Sequence, residues 1–148
     1  MPTTPESIFK ADKDAGYFNQ LGNGNLPELL GVEVVALQGN QVKGRVAIGE
    51  RHLAPNGFLH AAVVTSLADM CCGYGTIASL PEGAQGHATI ELKCNFVGTA
   101  RDGVVACTAV PLHIGKATQV WDARVFHEAS TRTLAHFRCT QMIFGSTG

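Results

Sequence analysis

A chain of 148 residues with 45% apolar side chains is long enough for one domain with its own core and too short for two ordinary ones. Its formal charge of −1, a pI near 6.6 and the lack of a basic stripe exclude a surface built for nucleic acid or for an anionic membrane. The first residues, M-P-T-T-P-E-S-I-F-K-A-D-K-D, carry no apolar run behind a basic start, so no secretory signal is read and the cytoplasm is the expected compartment. Five cysteines, at 71, 72, 94, 107 and 139, form no C-x-x-C pair and are expected as reduced, packed thiols, with neither a disulfide framework nor a zinc site.

In chain order, Thr4 to Asp14 has a helix-start pattern, with Thr4 as N-cap, Pro5 at the first helical position and Glu6 in the first turn; a short peripheral helix is predicted there. Gly16 to Asn25 reads as a loop, and Leu26 to Leu30 as a single turn leading into the first strand. Gly31 to Leu37 and Gln41 to Ile48 read as a hairpin around Gly39-Asn40, with Val42, Val46 and Ile48 on one face and Gln41, Lys43 and Arg45 on the other.

From Phe58 to Leu80 the sequence turns apolar or small, F-L-H-A-A-V-V-T-S-L-A-D-M-C-C-G-Y-G-T-I-A-S-L, long enough for one helix over 58–80. Twenty apolar residues also suffice to cross a bilayer. Here His60, Thr65, Ser66, Asp69, Gly73 and Gly75 interrupt the run, basic flanks are missing, and the mean hydropathy of the chain is only +0.10, which favours a central helix of a globular domain. Gly73 and Gly75 either permit close packing or mark a fraying end before Pro81.

His87 to Val97 alternates Ile90, Leu92, Cys94 and Phe96 against Thr89, Glu91, Lys93 and Asn95, and is predicted as a half-buried strand. Val104–His113, Ala117–Glu128 and Thr133–Phe144 follow as three strands joined by hairpin turns. Two strands, a long apolar helix and four more strands describe an α+β domain in which an antiparallel sheet of five to six strands wraps one central helix.

Asp69 is the one formally charged residue between Arg51 and Glu82. A carboxylate buried on a core helix costs stability unless it is paired or protonated, and Thr65, Ser66 or backbone are structural partners in reach. Retained there, it is a candidate for chemistry. Nine residues at about 100° each turn His60 and Asp69 to opposite sides of one helix, so a site using both requires two helices side by side in a dimer.

The element order, together with R-H-L-A-P-N-G-F-L-H-A-A-V-V-T-S-L-A-D-M-C-C-G-Y-G, resembles the hotdog-fold acyl-CoA thioesterases, in the branch of the phenylacetate-degradation and hydroxybenzoyl-CoA thioesterases. The resemblance covers roughly Leu30 to Phe144. It implies that Asp69 is the catalytic carboxylate, acting as nucleophile or as base on a water, two routes that the sequence does not separate. It implies further that His60 heads the helix and that the N–H of Ala61, in place of the usual glycine, polarises the thioester carbonyl. Ala61 and Ala62 add β-carbons where relatives have none.

Many relatives carry an amide six residues before the histidine, where this chain has Ala54; Asn56 either replaces that contact or shapes the turn with Gly57. Thr89 falls where relatives place a hydroxyl that orients the carboxylate or water, or is an ordinary strand threonine. For the phosphates of coenzyme A, Lys116 in its turn and Arg101 are the candidates, with Arg124 and Arg138 less favoured. No resident cofactor is expected, coenzyme A entering as part of the substrate, and no metal, since histidines 52, 87, 113, 127 and 136 show no ligand spacing.

Met70 and Tyr74 are expected to line the acyl pocket, with a small aryl, phenylacetyl or medium-chain acyl group as substrate. The resemblance also implies a homodimer with shared sites, pairing further into a homotetramer. Two other readings use the same pocket: a non-catalytic acyl-CoA sensor, against which Asp69 counts, and a dehydratase or hydratase acting on an acyl thioester, whose usual loop fits less well.

Overall fold

A computed structural model describes residues 6–145. Six antiparallel strands form one sheet in the order β1-β2-β4-β5-β6-β3, with β1 Glu33–Gln38, β2 Gln41–Ala47, β3 Gly86–Phe96, β4 Val104–Ile114, β5 Thr118–His127 and β6 Thr133–Phe144. The helix α3, Ala61–Ala78, lies against β2 through β6. Its apolar length would suit a bilayer, but Val63, Val64, Leu67, Ala68, Cys71, Cys72 and Ala78 are buried in the sheet's concave face. The predicted α+β hotdog architecture is therefore the one observed, with six strands.

Local chemistry accounts for most boundaries. Gly39 and Asn40 both adopt positive φ, 60° and 56°, the pairing that a tight hairpin between twisted strands needs. α3 starts three residues later than the apolar run, because His60 stays extended and its Nδ1 accepts the N–H of Ala62 at 2.9 Å, capping the helix. At its far end Gly75 faces the buried Trp121, whose ring atoms lie 2.4–2.9 Å from where a β-carbon would stand. That close approach, rather than fraying, is the reason for glycine. Trp121 donates Nε1–H to Gln119 at 2.9 Å, and Ser79 Oγ lies 3.3 Å from the same oxygen, so the buried polar groups at this end of the helix are satisfied.

The N-terminal prediction fails. Thr4 and Pro5 lie outside the described residues, and 6–14 form no helix; instead α1 spans Ala15–Leu21, inside the stretch read as loop. Asp14 is its N-cap, accepting the N–H of Tyr17 at 2.8 Å, while Phe18 is buried against Tyr74 with ring centroids 4.6 Å apart. Lys10 N–H donates to the Ala78 carbonyl at the end of α3, and Phe9 stacks on Trp121, so tertiary anchoring holds the preceding segment in bends and a turn rather than the helix of its local propensity. The single turn α2, Leu26–Leu30, is present as expected and ends on Gly31 in the left-handed region.

The two sheet edges differ. β1 is six residues long, its register is shifted between Val34 and Ala36, and the Asn19 side chain occupies its outer rim: Oδ1 accepts the N–H of Val34 at 2.8 Å and Nδ2 donates to its carbonyl at 2.9 Å. β3 is eleven residues long and carries no such cover. The prediction that its apolar face is buried is corrected: Ile90, Leu92, Phe96 and Val97 are 45–61% exposed and only Cys94 is half-buried. A bulge between Thr89 and Glu91 also breaks the expected alternation.

Candidate active site

The fold sets the expected site residues in two separated parts. The first is the start of α3. Leu59 N–H donates to Ala100 O and His60 N–H to His52 O, both at 2.8 Å, which pins the incoming loop; His52 is itself held, its Nδ1 accepting Gly49 N–H and its Nε2 2.7 Å from Leu30 O. Asn56 Oδ1 accepts the N–H of Phe58 at 3.2 Å beside Gly57 at φ 84°, so its oxygen shapes the turn. Of the first helical donors, Ala62 is capped by His60 and Val63 bonds to His60 O, while among the described residues Ala61 N–H has no acceptor. An unpaired donor at the positive end of an eighteen-residue helix suits a developing oxyanion. A cleft of about 130 Å³, lined by Leu59, Ala61, Val64, Phe96, Gly98, Thr99 and Leu134, opens beside it.

The second part is Asp69. It is half-buried rather than enclosed, because the side of α3 that bears Ser66, Asp69, Met70 and Gly73 is only partly covered. Its Oδ1 accepts the hydroxyl proton of Thr89 at 3.0 Å, and among the described residues Oδ2 has no hydrogen-bond partner. Thr65, a structural partner considered from sequence, turns away and donates to Ala61 O. Thr89 Oγ1 is also 3.1 Å from the carboxamide of Gln141, which lies 3.0 Å from His87 Nδ1. Gln141 is fully buried.

Neither Gln141 nor His87 stands out in the sequence, and His87, read there as an ordinary strand residue, is linked to the carboxylate through three hydrogen bonds, by way of Gln141 and Thr89. The signal was partial: His87 and Thr89 are two apart on one strand, so they share a face, but the register that sets Thr89 opposite Gln141 is tertiary.

Eight residues at about 1.5 Å each place Ala61 and Asp69 about 12 Å apart along α3, so one carbonyl cannot meet both in a single chain. The candidate phosphate ligands are separated too. Arg101, stacked over the Phe58 ring at 4.1 Å, precedes β4, whereas Lys116 follows it, with about 35 Å of strand between them. Arg138 pairs with Asp122 and Arg124 bonds Thr133 and Thr131, which commits both to the sheet surface. Of the residues expected at the acyl group, Met70 is half-buried on the Asp69 side of the helix, while Tyr74 is buried against Phe18.

All five cysteines are free thiols. Burial pushes Cys72 well up, and a hydrogen bond with Cys71, with burial, does the same to Cys107, so neither supplies a thiolate nucleophile. No group of three metal-ligating side chains comes together among the described residues.

Residues 56–133 match the model of the thioesterase superfamily, which spans the loop, α3, Thr89 and most of the later strands. The chain belongs to that superfamily. The 1,4-dihydroxy-2-naphthoyl-CoA hydrolase of Listeria monocytogenes is 30% identical over 115 residues, covering 78% of this chain and 92% of the relative. Among solved structures, a mutant of thioesterase PA1618 from Pseudomonas aeruginosa superposes with a TM-score of 0.87 at 22% identity, covering 93% of this chain and 98% of the other. The PaaI protein of the Escherichia coli phenylacetic acid degradation operon does so with 0.77 at 19%, over 93% and 97%. Both share the fold, the latter in line with the branch named from the sequence. This hotdog protein is a thioester hydrolase.

Proposed function

We propose that the chain hydrolyses small aryl-acyl-CoA thioesters, with Asp69 as the reacting carboxylate. The observation that carries this is the state of Asp69: one oxygen held by Thr89, the other unpaired, on a helix side open to a ligand. The thioester carbonyl accepts the Ala61 N–H, and Asp69, as nucleophile or through a water that it deprotonates, brings oxygen to the carbonyl carbon. The C–S bond breaks and coenzyme A leaves as the thiol, with a proton that water supplies; the hydroxyl of that water ends on the released acid, added directly in the base route or by cleaving the acyl-aspartate anhydride in the nucleophile route. The naphthoyl substrate in the Listeria relative's name favours an aryl group over a straight chain here.

The separation of about 12 Å between Ala61 and Asp69 along α3 supports a site that takes the two from different chains. A second copy set against β3 and the open side of α3 brings the Ala61 end of one protomer to the Asp69 end of the other and covers the exposed Ile90, Leu92 and Phe96. Arg101 then accompanies the helix start and Lys116 the carboxylate, so the coenzyme A phosphates meet cations of either chain. Pairing of two such dimers completes a homotetramer, and the cytoplasm is the compartment in which free thiols and acyl-CoA coexist. His60 acts through the cap rather than on the substrate.

Thiol release from aryl, phenylacetyl and straight-chain acyl-CoAs, measured on wild type and Asp69→Asn, tests the reading. Turnover that falls about 1,000-fold in a folded variant supports it, whereas an equally active variant overturns it. Ala61→Pro removes one N–H at the helix position where proline is tolerated, and His60 already has the extended backbone that a following proline requires. Mixed with Asp69→Asn chains, it should regain activity through hybrid dimers holding one intact site; no recovery after confirmed exchange counts against a shared site.

A further inference from the structure

Gln141 touches three groups. Thr89 Oγ1 at 3.1 Å and His87 Nδ1 at 3.0 Å face one end of its carboxamide, and Cys139 Sγ lies 3.4 Å from the other. Oxygen and nitrogen of such an amide are told apart by the hydrogen count around them. A threonine hydroxyl has one proton, and the Asp69 carboxylate oxygen at 3.0 Å can only accept, so that proton goes to Asp69. With its oxygen toward Thr89, Gln141 would set two lone-pair atoms face to face at 3.1 Å and leave two buried amide hydrogens with one thiol sulfur between them. The reverse orientation matches every group. Nε2 donates one hydrogen to Thr89 Oγ1 and one to His87 Nδ1, and Oε1 accepts the S–H of Cys139.

We infer that Gln141 is a positioning residue for hydrolysis, its amide nitrogen turned to Thr89 and His87. In that orientation the Thr89 proton is committed to Asp69 Oδ1, which leaves Oδ2 as the reacting oxygen. The same amide obliges His87 to keep Nδ1 as an acceptor and to carry its proton on Nε2. Neither residue touches the thioester; both act through Thr89. The inference rests on the assignment of Asp69 as the reacting group, and one of its readouts does not.

That readout is the ring tautomer of His87. In protein labelled with 15N-histidine at mildly alkaline pH, long-range proton–nitrogen correlations, assigned by the signals lost in His87→Asn, should show His87 protonated on Nε2. A ring protonated on Nδ1, or on both nitrogens, overturns the orientation. Gln141→Glu keeps the shape and offers only acceptors, so it should move the proton to Nδ1. A wild type inactive on every acyl-CoA but with the Nε2 tautomer would defeat the hydrolytic reading alone, leaving the orientation established.

In the active enzyme Gln141→Glu should lower kcat about 10-fold with KM nearly unchanged, as expected for a hydrogen bond to a charged system. Gln141→Leu, close in size, separates loss of the amide from the added charge. Combined with Thr89→Val, either variant should add almost nothing, because the path through Thr89 is already cut. Losses that multiply, or a change in KM alone, overturn the positioning role.

Discussion

The half of the sheet formed by β2, β4 and β5 is finished within one chain, and the half around β3 is not. Val42, Val46, Val105, Cys107, Ala109, Trp121, Ala123 and Val125 are all buried against α3 or its neighbours, and Trp121 fills the space that Gly75 leaves. Around β3 most apolar side chains are exposed, Asp69 is half-covered, and the sheet ends in a strand paired with β6 on one side and, among the described residues, with no strand on the other. The closed half holds most of the core, and the open half holds the proposed reacting carboxylate. Apolar strand edges invite a second chain, and the proposed shared site sets its second copy against this same region.

The strongest test of this division is in the closed half. Trp121→Ala removes the largest fully buried side chain and should lower the unfolding free energy by about 3–5 kcal/mol in urea titrations, without changing how the surviving folded protein associates. Gly75→Ala drives a β-carbon into the same ring; overpacking of about 3 kcal/mol, less about 1 kcal/mol regained in helix propensity, leaves a net loss of about 2 kcal/mol by the same titration.

In the open half the effect should move from folding to association. Leu92→Glu is expected to weaken pairing by about 2 kcal/mol, roughly 30-fold in the dissociation constant, read by sedimentation, with activity that recovers at high protein concentration. If Leu92→Glu instead unfolds the protomer and leaves its association untouched, the division is wrong. The smallest effect belongs to the periphery: Asp14→Ala, by removing the cap of α1, should cost about 1 kcal/mol in thermal or urea unfolding and leave turnover unchanged.

The contrast also governs what was readable in the sequence. Strands of the closed half follow from alternation and turn residues, since burial there is decided within the chain: Thr133–Phe144 is recovered to the residue, and Gly39-Asn40 marks the hairpin. In β3 the same alternation misleads, because among the described residues Leu92 and Phe96 are left exposed and the bulge after Thr89 resets the faces. The helix expected from Thr4-Pro5-Glu6 is absent because that is a local signal, whereas the backbone at Lys10 answers to Ala78, far along the chain; α1 was missed because the Gly and Asn residues of 16–25 read as a loop, while the contact that favours it, Phe18 on Tyr74, is tertiary. Asp69 stood out as the lone charge of an apolar run, whereas His60, Ala61 and Thr89 became candidates through the family resemblance. Gln141 and His87 were not legible, since what joins them to Asp69 is strand register.

The carboxamide of Asn19 has a consequence for how large an assembly this sheet can build. By standing in for a neighbouring strand at Val34, on a rim that is already short and bulged, it denies incoming chains a template at β1. Strand pairing is then possible at one end only. A sheet that can grow from a single end is terminated by its first symmetric addition, so under the proposed pairing the open β3, which would seed a fibre in a two-ended sheet, would instead close into a countable particle.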